Sequence, residues 1–90
     1  MYEALFVELI GTFMFLSVIL KTGKAIPIAV ALATVIFWGG SISGGHFNPA
    51  VTFVQAVRGA GGMDAMTALQ YVIMQLIGGY GALHFYNNTK

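Results

Sequence analysis

Ser43-Gly44-Gly45-His46-Phe47-Asn48-Pro49-Ala50-Val51-Thr52-Phe53 is the stretch whose reading decides the fold. It opens as a short, polar, glycine-rich break in a chain that is apolar on both sides. It continues, from Asn48, as a helix. Backbone that leaves a helix at membrane depth is tolerated only where it is buried in protein or lines a water-filled cavity. The break therefore points to a passage through a bilayer and not to an active site. Asparagine is among the best N-cap residues, and proline is favoured at the first helical position. The pair predicts a helix start at residues 48–49. From Asn48 to Arg58, at 1.5 Å per residue, the helix reaches roughly 16 Å, about half of a ~30 Å hydrocarbon core. That is the length of a re-entrant half-helix. Gly59-Ala60-Gly61-Gly62 is expected to end it as a flexible loop.

Composition sets the solvent. The 90 residues are 58% hydrophobic and 8% charged, against about 25% charged in a soluble domain. Lys21, Lys24, Arg58 and Lys90 are scattered, so no basic patch for nucleic acid exists. With no cysteine, thiol chemistry and disulfides are excluded. No nucleophile–base pair or metal-ligand spacing is visible, so an enzyme, a metal and a cofactor are not expected. Met1-Tyr2-Glu3 lacks the basic start of a signal peptide, and the first apolar run reads as a retained span.

The chain thus reads as one all-α integral membrane unit, 1–90. Spans are expected at about 4–20, 25–42 and 65–86, with a re-entrant loop and half-helix over 43–58. Pro27 falls in the first turn of the second span, where its missing N–H costs nothing. Trp38 lies near that span's other end, as interfacial rings do. Asp64 suits the N-cap of the last span, and Asn87 to Lys90 is expected as a polar tail.

A helix start at mid-membrane has a chemistry of its own. It presents unpaired N–H groups and about half a positive charge. The Asn48 amide can donate to a passing oxygen. The backbone of Gly44, Gly45 and His46 can offer carbonyl acceptors in a row, glycine allowing the angles required. A cation would be repelled. Glu8 is either solvated near a helix start or an intramembrane carboxylate with a partner. A proton-coupled role, as in small export proteins, would explain neither the break nor the half-helix.

The block 43–53 resembles the signature of the aquaporin, or major intrinsic protein, family. Glu8-Leu9-Ile10-Gly11-Thr12-Phe13 is similar to that family's first helix, and Gln75 with Gly78, Gly79 and Gly81 to its third. The resemblance implies that Asn48, Pro49 and Ala50 form one of two facing pore motifs. It further implies that Gly44, Gly45 and His46 line the pore through their carbonyls, and that Glu8 braces the loop by accepting backbone hydrogen bonds. Ile28 falls where water-selective members carry a bulky aromatic, so it is a candidate filter position. The chain corresponds to the first half only and lacks the second motif and the filter arginine that follows it. The implied function is a half-channel for water or small neutral solutes such as glycerol, in a lipid bilayer. A second copy or a complementary half-chain would complete the pore. The alternatives are a non-conducting fragment of a longer chain, or a small membrane-structural or lysis-type oligomer.

Other residues have plainer readings. The His46 ring is expected to be structural. Gly78, Gly79, Gly81 and Ala82 read as a helix-packing face. Met63, Met66 and Met74 read as apolar filler and His84 as interfacial. Asn87-Asn88-Thr89 matches a glycosylation sequon that hugs the membrane. The family topology would put Arg58 inside and Lys21, Lys24 and Lys90 outside, against the positive-inside rule. A dual topology is compatible with that count.

Overall fold

A computed structural model describes residues 1–59 and 63–89. Its regular structure, among those residues, is four helices: α1 Tyr2–Thr22, α2 Ala25–Ser43, α3 Pro49–Arg58 and α4 Ala65–Thr89. Each boundary has a local cause. Gly23, at φ 63°, closes α1 in the left-handed conformation, and its N–H reaches the Ile19 carbonyl at 3.0 Å. Gly44, at φ 93°, does the same for α2, onto Gly40 at 2.8 Å. A side chain in either place would be strained. α3 ends at Gly59, φ 76°; the rest of the expected loop, 60–62, lies outside the described residues. Asp64 Oδ1 accepts from Thr67 N at 2.8 Å and caps α4.

The helices run further than the apolar runs that suggested them. α1 extends past 4–20 at both ends, and α2 reaches Ser43. At the end of α4, residues 87–89, expected as tail, are helical. There Asn88 Nδ2 donates to the His84 carbonyl and Thr89 Oγ1 to the Phe85 carbonyl, both at 2.8 Å. Lys90 lies outside the described residues. α1 and α2 are long and apolar enough to cross a bilayer. α4 is the longest, at 25 residues, but Gln70, Gln75, His84, Asn87 and Asn88 make it less apolar.

α1 is the hub. It carries α2 on one side and α4 on another, while α3 packs on α4. Glu8 meets Gln75 and, further along both helices, Phe13 meets Phe85, so α1 and α4 run parallel. Close approach is made by glycine. A Cβ on Gly78 would run into the Leu9 carbonyl oxygen of α1, one on Gly39 into Val7, and one on Gly11 into the Phe47 ring. Backbone contact through small residues is how helices associate where lipid removes the hydrophobic drive. The core is small: Val7, Val35 and Phe47, with Phe15 and Leu32 against it. Most large apolar side chains face outward instead, Phe37 at 92% exposure and Ile26 at 74%. The longest dimension, 41 Å, matches a bilayer with its headgroup layers.

Candidate functional site

Asn48 is extended, at φ −160°, and its Oδ1 accepts from Ala50 N at 2.8 Å. That bond uses the oxygen and leaves the side-chain NH2 at an exposed tip. Pro49 takes the first helical position, and the Asn48 carbonyl accepts from Thr52 N at 3.2 Å. The capped end of α3 therefore keeps its positive pole and one amide donor facing outward.

The loop before it is held from α1. Glu8 is wholly buried. Its Oε2 accepts from Ser43 Oγ at 2.8 Å and His46 N at 3.1 Å. Its Oε1 accepts from Phe47 N at 2.8 Å and Gln75 Nε2 at 2.9 Å. One carboxylate thus ties the end of α2, the loop and α4 to α1. Charge-assisted bonds of this kind are the strong ones. They hold backbone that is costly by itself: Gly45 sits at φ 66° and Phe47 at φ 54°. A non-glycine residue there costs on the order of 1–3 kcal/mol. The Phe47 ring, 1% exposed against Gly11, offsets it.

A second layer joins the first. Gln75 Nε2 also donates to Thr52 Oγ1 at 2.8 Å, and Thr52 Oγ1 lies 2.8 Å from His46 Nδ1. The Thr52 proton is better spent on His46 Nδ1 than on the Asn48 carbonyl at 3.4 Å. The neutral ring then carries its proton on Nε2. Tyr71 OH donates to the Ser43 carbonyl at 2.7 Å, and its ring stands 5.0 Å from that of His46. The carbonyls of Gly44, Gly45 and His46 receive no hydrogen bond from any described residue.

The structure therefore brings Glu8, Gly44, Gly45, His46, Asn48, Pro49 and Ala50 into one region. Ile28 is not part of it. Half-buried in the first turn of α2, it lies about 22 Å along the helix axis from Ser43 at 1.5 Å per residue. Ser43, Thr52 and Tyr71 were not singled out from sequence. For Thr52 there was a usable signal, since it sits one helical turn after Asn48 and so on the face of α3 that turns back toward the loop. A groove of about 740 Å³ opens beside Asn48 and Pro49, between Thr12 and Phe15 of α1 and Gln75 and Tyr80 of α4. Thr12 Oγ1 and Gln75 Oε1 are buried there without a partner. Among the described residues no cluster of metal-ligating side chains occurs.

Residues 20–89 match the family described as Major intrinsic protein. The chain is 38% identical over 80 residues to the Glycerol uptake facilitator protein-like 6 of Lactiplantibacillus plantarum, covering 79% of this chain and 36% of that protein. It is 42% identical over 84 residues to Aquaporin-8 of Mus musculus, covering 81% and 31%. It is 40% identical over 57 residues to Aquaporin Z of Photorhabdus laumondii, covering 63% and 24%. The chain spans about a third of the length of the first two. No solved structure matches it.

Proposed function

The chain belongs to the major intrinsic protein family, and from that premise we propose that it is one half of a passive membrane channel for water or small neutral solutes. α1, α2 and α4 are its three crossings, and 43–58 is the re-entrant segment. The observation that carries the reading is the division of labour around Glu8. The carboxylate takes the N–H groups of His46 and Phe47, which leaves the carbonyls of Gly44, Gly45 and His46 for a solute. Beyond them stands the Asn48 amide, on the positive end of α3. A neutral hydroxyl compound can accept from Asn48 and donate to the carbonyls. Rejection of cations by such half-helix ends is an established rule for channels of this kind. Nothing in this arrangement asks for bond-making, and the reading is a channel, not an enzyme.

Two halves are needed because α3 spans only half the membrane, and its exposed tip requires a counterpart. Ile28, aliphatic and half-buried, is the proposed filter side chain, which favours passage of solutes larger than water, such as glycerol. The relatives named above include a glycerol uptake facilitator-like protein and aquaporins, in keeping with either solute. A second reading, a non-conducting piece of a longer channel, draws on the same one-third coverage.

Stopped-flow light scattering on liposomes tests the proposal. Reconstituted protein should speed osmotic shrinkage above the lipid-only rate, and Asn48→Ala should return it to that rate or admit cations. Shrinkage at the lipid-only rate under all assembly conditions would exclude conduction by this chain. Ile28→Phe should lower glycerol flux more than water flux.

A further inference from the structure

The second groove between α1 and α4 belongs to no part of the channel reading. It holds about 410 Å³ and is lined by Ser17, Val18, Lys21 and Thr22 of α1 with Phe85 and Tyr86 of α4 among others. At 100° per residue, Ser17 and Lys21 lie on the face of α1 opposite Phe15 and Ile19, which line the groove at Asn48. The two grooves share no residue. This one opens on the other side of α1, at the end of the molecule where α1 and α4 finish and α2 begins.

Its walls are apolar and its polar groups are few and placed. Lys21 stands exposed at the mouth, with Lys24 nearby on the same end. The acidic residues of the chain are Glu3, Glu8 and Asp64, and none is at this end. One helical turn deeper, about 6 Å along the axis, the Ser17 hydroxyl is buried and has no partner. Among the described residues it shares that state only with Thr12 Oγ1 and Gln75 Oε1, which lie at the other groove. The hydroxyls of Thr22, Thr34 and Thr89 all donate to the carbonyl four residues back. Ser17 makes no such bond. A cation at the interface, a hydroxyl donor one turn below it and an apolar trough below that follow the order of groups down a phospholipid: phosphate, ester carbonyl, acyl chain.

We propose that this groove seats one anionic phospholipid. The phosphodiester rests on the Lys21 ammonium, an ester carbonyl receives the Ser17 hydroxyl, and the first acyl carbons lie between Val18 and Phe85. The site is independent of conduction, resting only on α1 and α4 being in the membrane.

Native mass spectrometry of the full chain in detergent, titrated with phosphatidylglycerol or phosphatidylcholine of identical chains, tests it. One interfacial lysine should favour phosphatidylglycerol about fivefold. Lys21→Gln should bring the two lipids to the same affinity, while Lys24→Gln keeps the preference. Ser17→Ala should weaken both lipids and leave their ratio unchanged. Asn48→Ala, disabling on the channel reading, should leave lipid binding as it was. Phosphatidylglycerol with a diazirine beside its ester group should label the peptides that contain Val18 or Phe85. Equal affinities in the parent protein, a preference that survives Lys21→Gln, equal loss from Lys24→Gln or label on other peptides would each overturn the proposal. So would displacement of the lipid by palmitate at equal concentration, which would make the occupant a fatty acid.

Discussion

Four donors from three segments end on the two oxygens of Glu8: Ser43 Oγ, the His46 and Phe47 N–H groups, and Gln75 Nε2. An amide in its place has one acceptor oxygen and turns two further N–H donors toward donors. Buried donors left unsatisfied cost about 1–3 kcal/mol each. Glu8→Gln should therefore destabilise the folded chain by roughly 3 kcal/mol or more. Ser43→Ala removes one donor from the carboxylate and leaves only the half-buried Gly45 N–H, which Ser43 Oγ accepts at 3.1 Å, without its partner, so it should cost less, about 1–2 kcal/mol. Unfolding in mixed micelles, followed by circular dichroism, reads both; equal effects would mean that the carboxylate is not the hub. The sequence makes Glu8 conspicuous, because an ionisable residue in an apolar run calls for a partner. It does not say which partners, since they lie 35 to 67 residues away and only tertiary packing delivers them. Phe47 was illegible for a related reason. Its left-handed backbone runs against its own preference and is held by Glu8 and by the space that Gly11 leaves.

At the scale of the helix, the small-residue face of α4 is plain from sequence, but its working member is not. Gly78, Gly79 and Gly81 look alike in the sequence. In the structure a Cβ on Gly78 would strike backbone, the Leu9 carbonyl and Phe13 N at 3.2 Å, whereas one on Gly79 would meet only Leu16 Cγ, at 4.0 Å. Backbone cannot step aside as a side chain can. Gly78→Ala should thus push α4 from α1 and cost about 1–3 kcal/mol, while Gly79→Ala should be close to neutral. Thermal melts of the two variants in one detergent make the comparison, and a reversed order would refute the packing. The start of α4 carries a pH dependence. The bond from the Thr67 backbone to Asp64 holds the Asp64 carboxyl below the usual aspartate value. A lowered folded pKa means that the charged form is favoured in the fold. The cap therefore contributes fully above the unfolded value near 4 and is lost as pH falls through the lowered one. Amide exchange at Thr67 and Ala68 should accelerate, relative to the middle of α4, as the pH drops below about 4. Asp64→Asn, still a cap but uncharged, should remove that pH dependence.

For the molecule as a whole, the class was legible because composition alone selects lipid as solvent, and the outward-facing Phe37 and Ile26 agree with it. The extent of α4 was not. Asn88 and Thr89 extend α4 by bonding their side chains to carbonyls one turn back, which no hydropathy reading registers. Nor does sequence say what meets the tip of α3. The groove beside Asn48 carries two buried, unpartnered polar atoms, Thr12 Oγ1 and Gln75 Oε1, and groups of that kind are retained in lipid only at a cost of several kcal/mol. A facing half would cover that groove and the exposed Asn48 amide beside it. If the facing half is a second copy, the pore is a dimer in equilibrium with single chains. The number of pores then rises as the square of the protein density in the membrane while dimers are scarce, and linearly once they dominate. Liposomes prepared over a hundredfold range of protein-to-lipid ratio should show that change of slope in osmotic permeability. Asn48→Ala should flatten the curve at every density. A line of unit slope down to the sparsest vesicles, with permeability above the lipid background, would mean that a single chain conducts or that the copies never part.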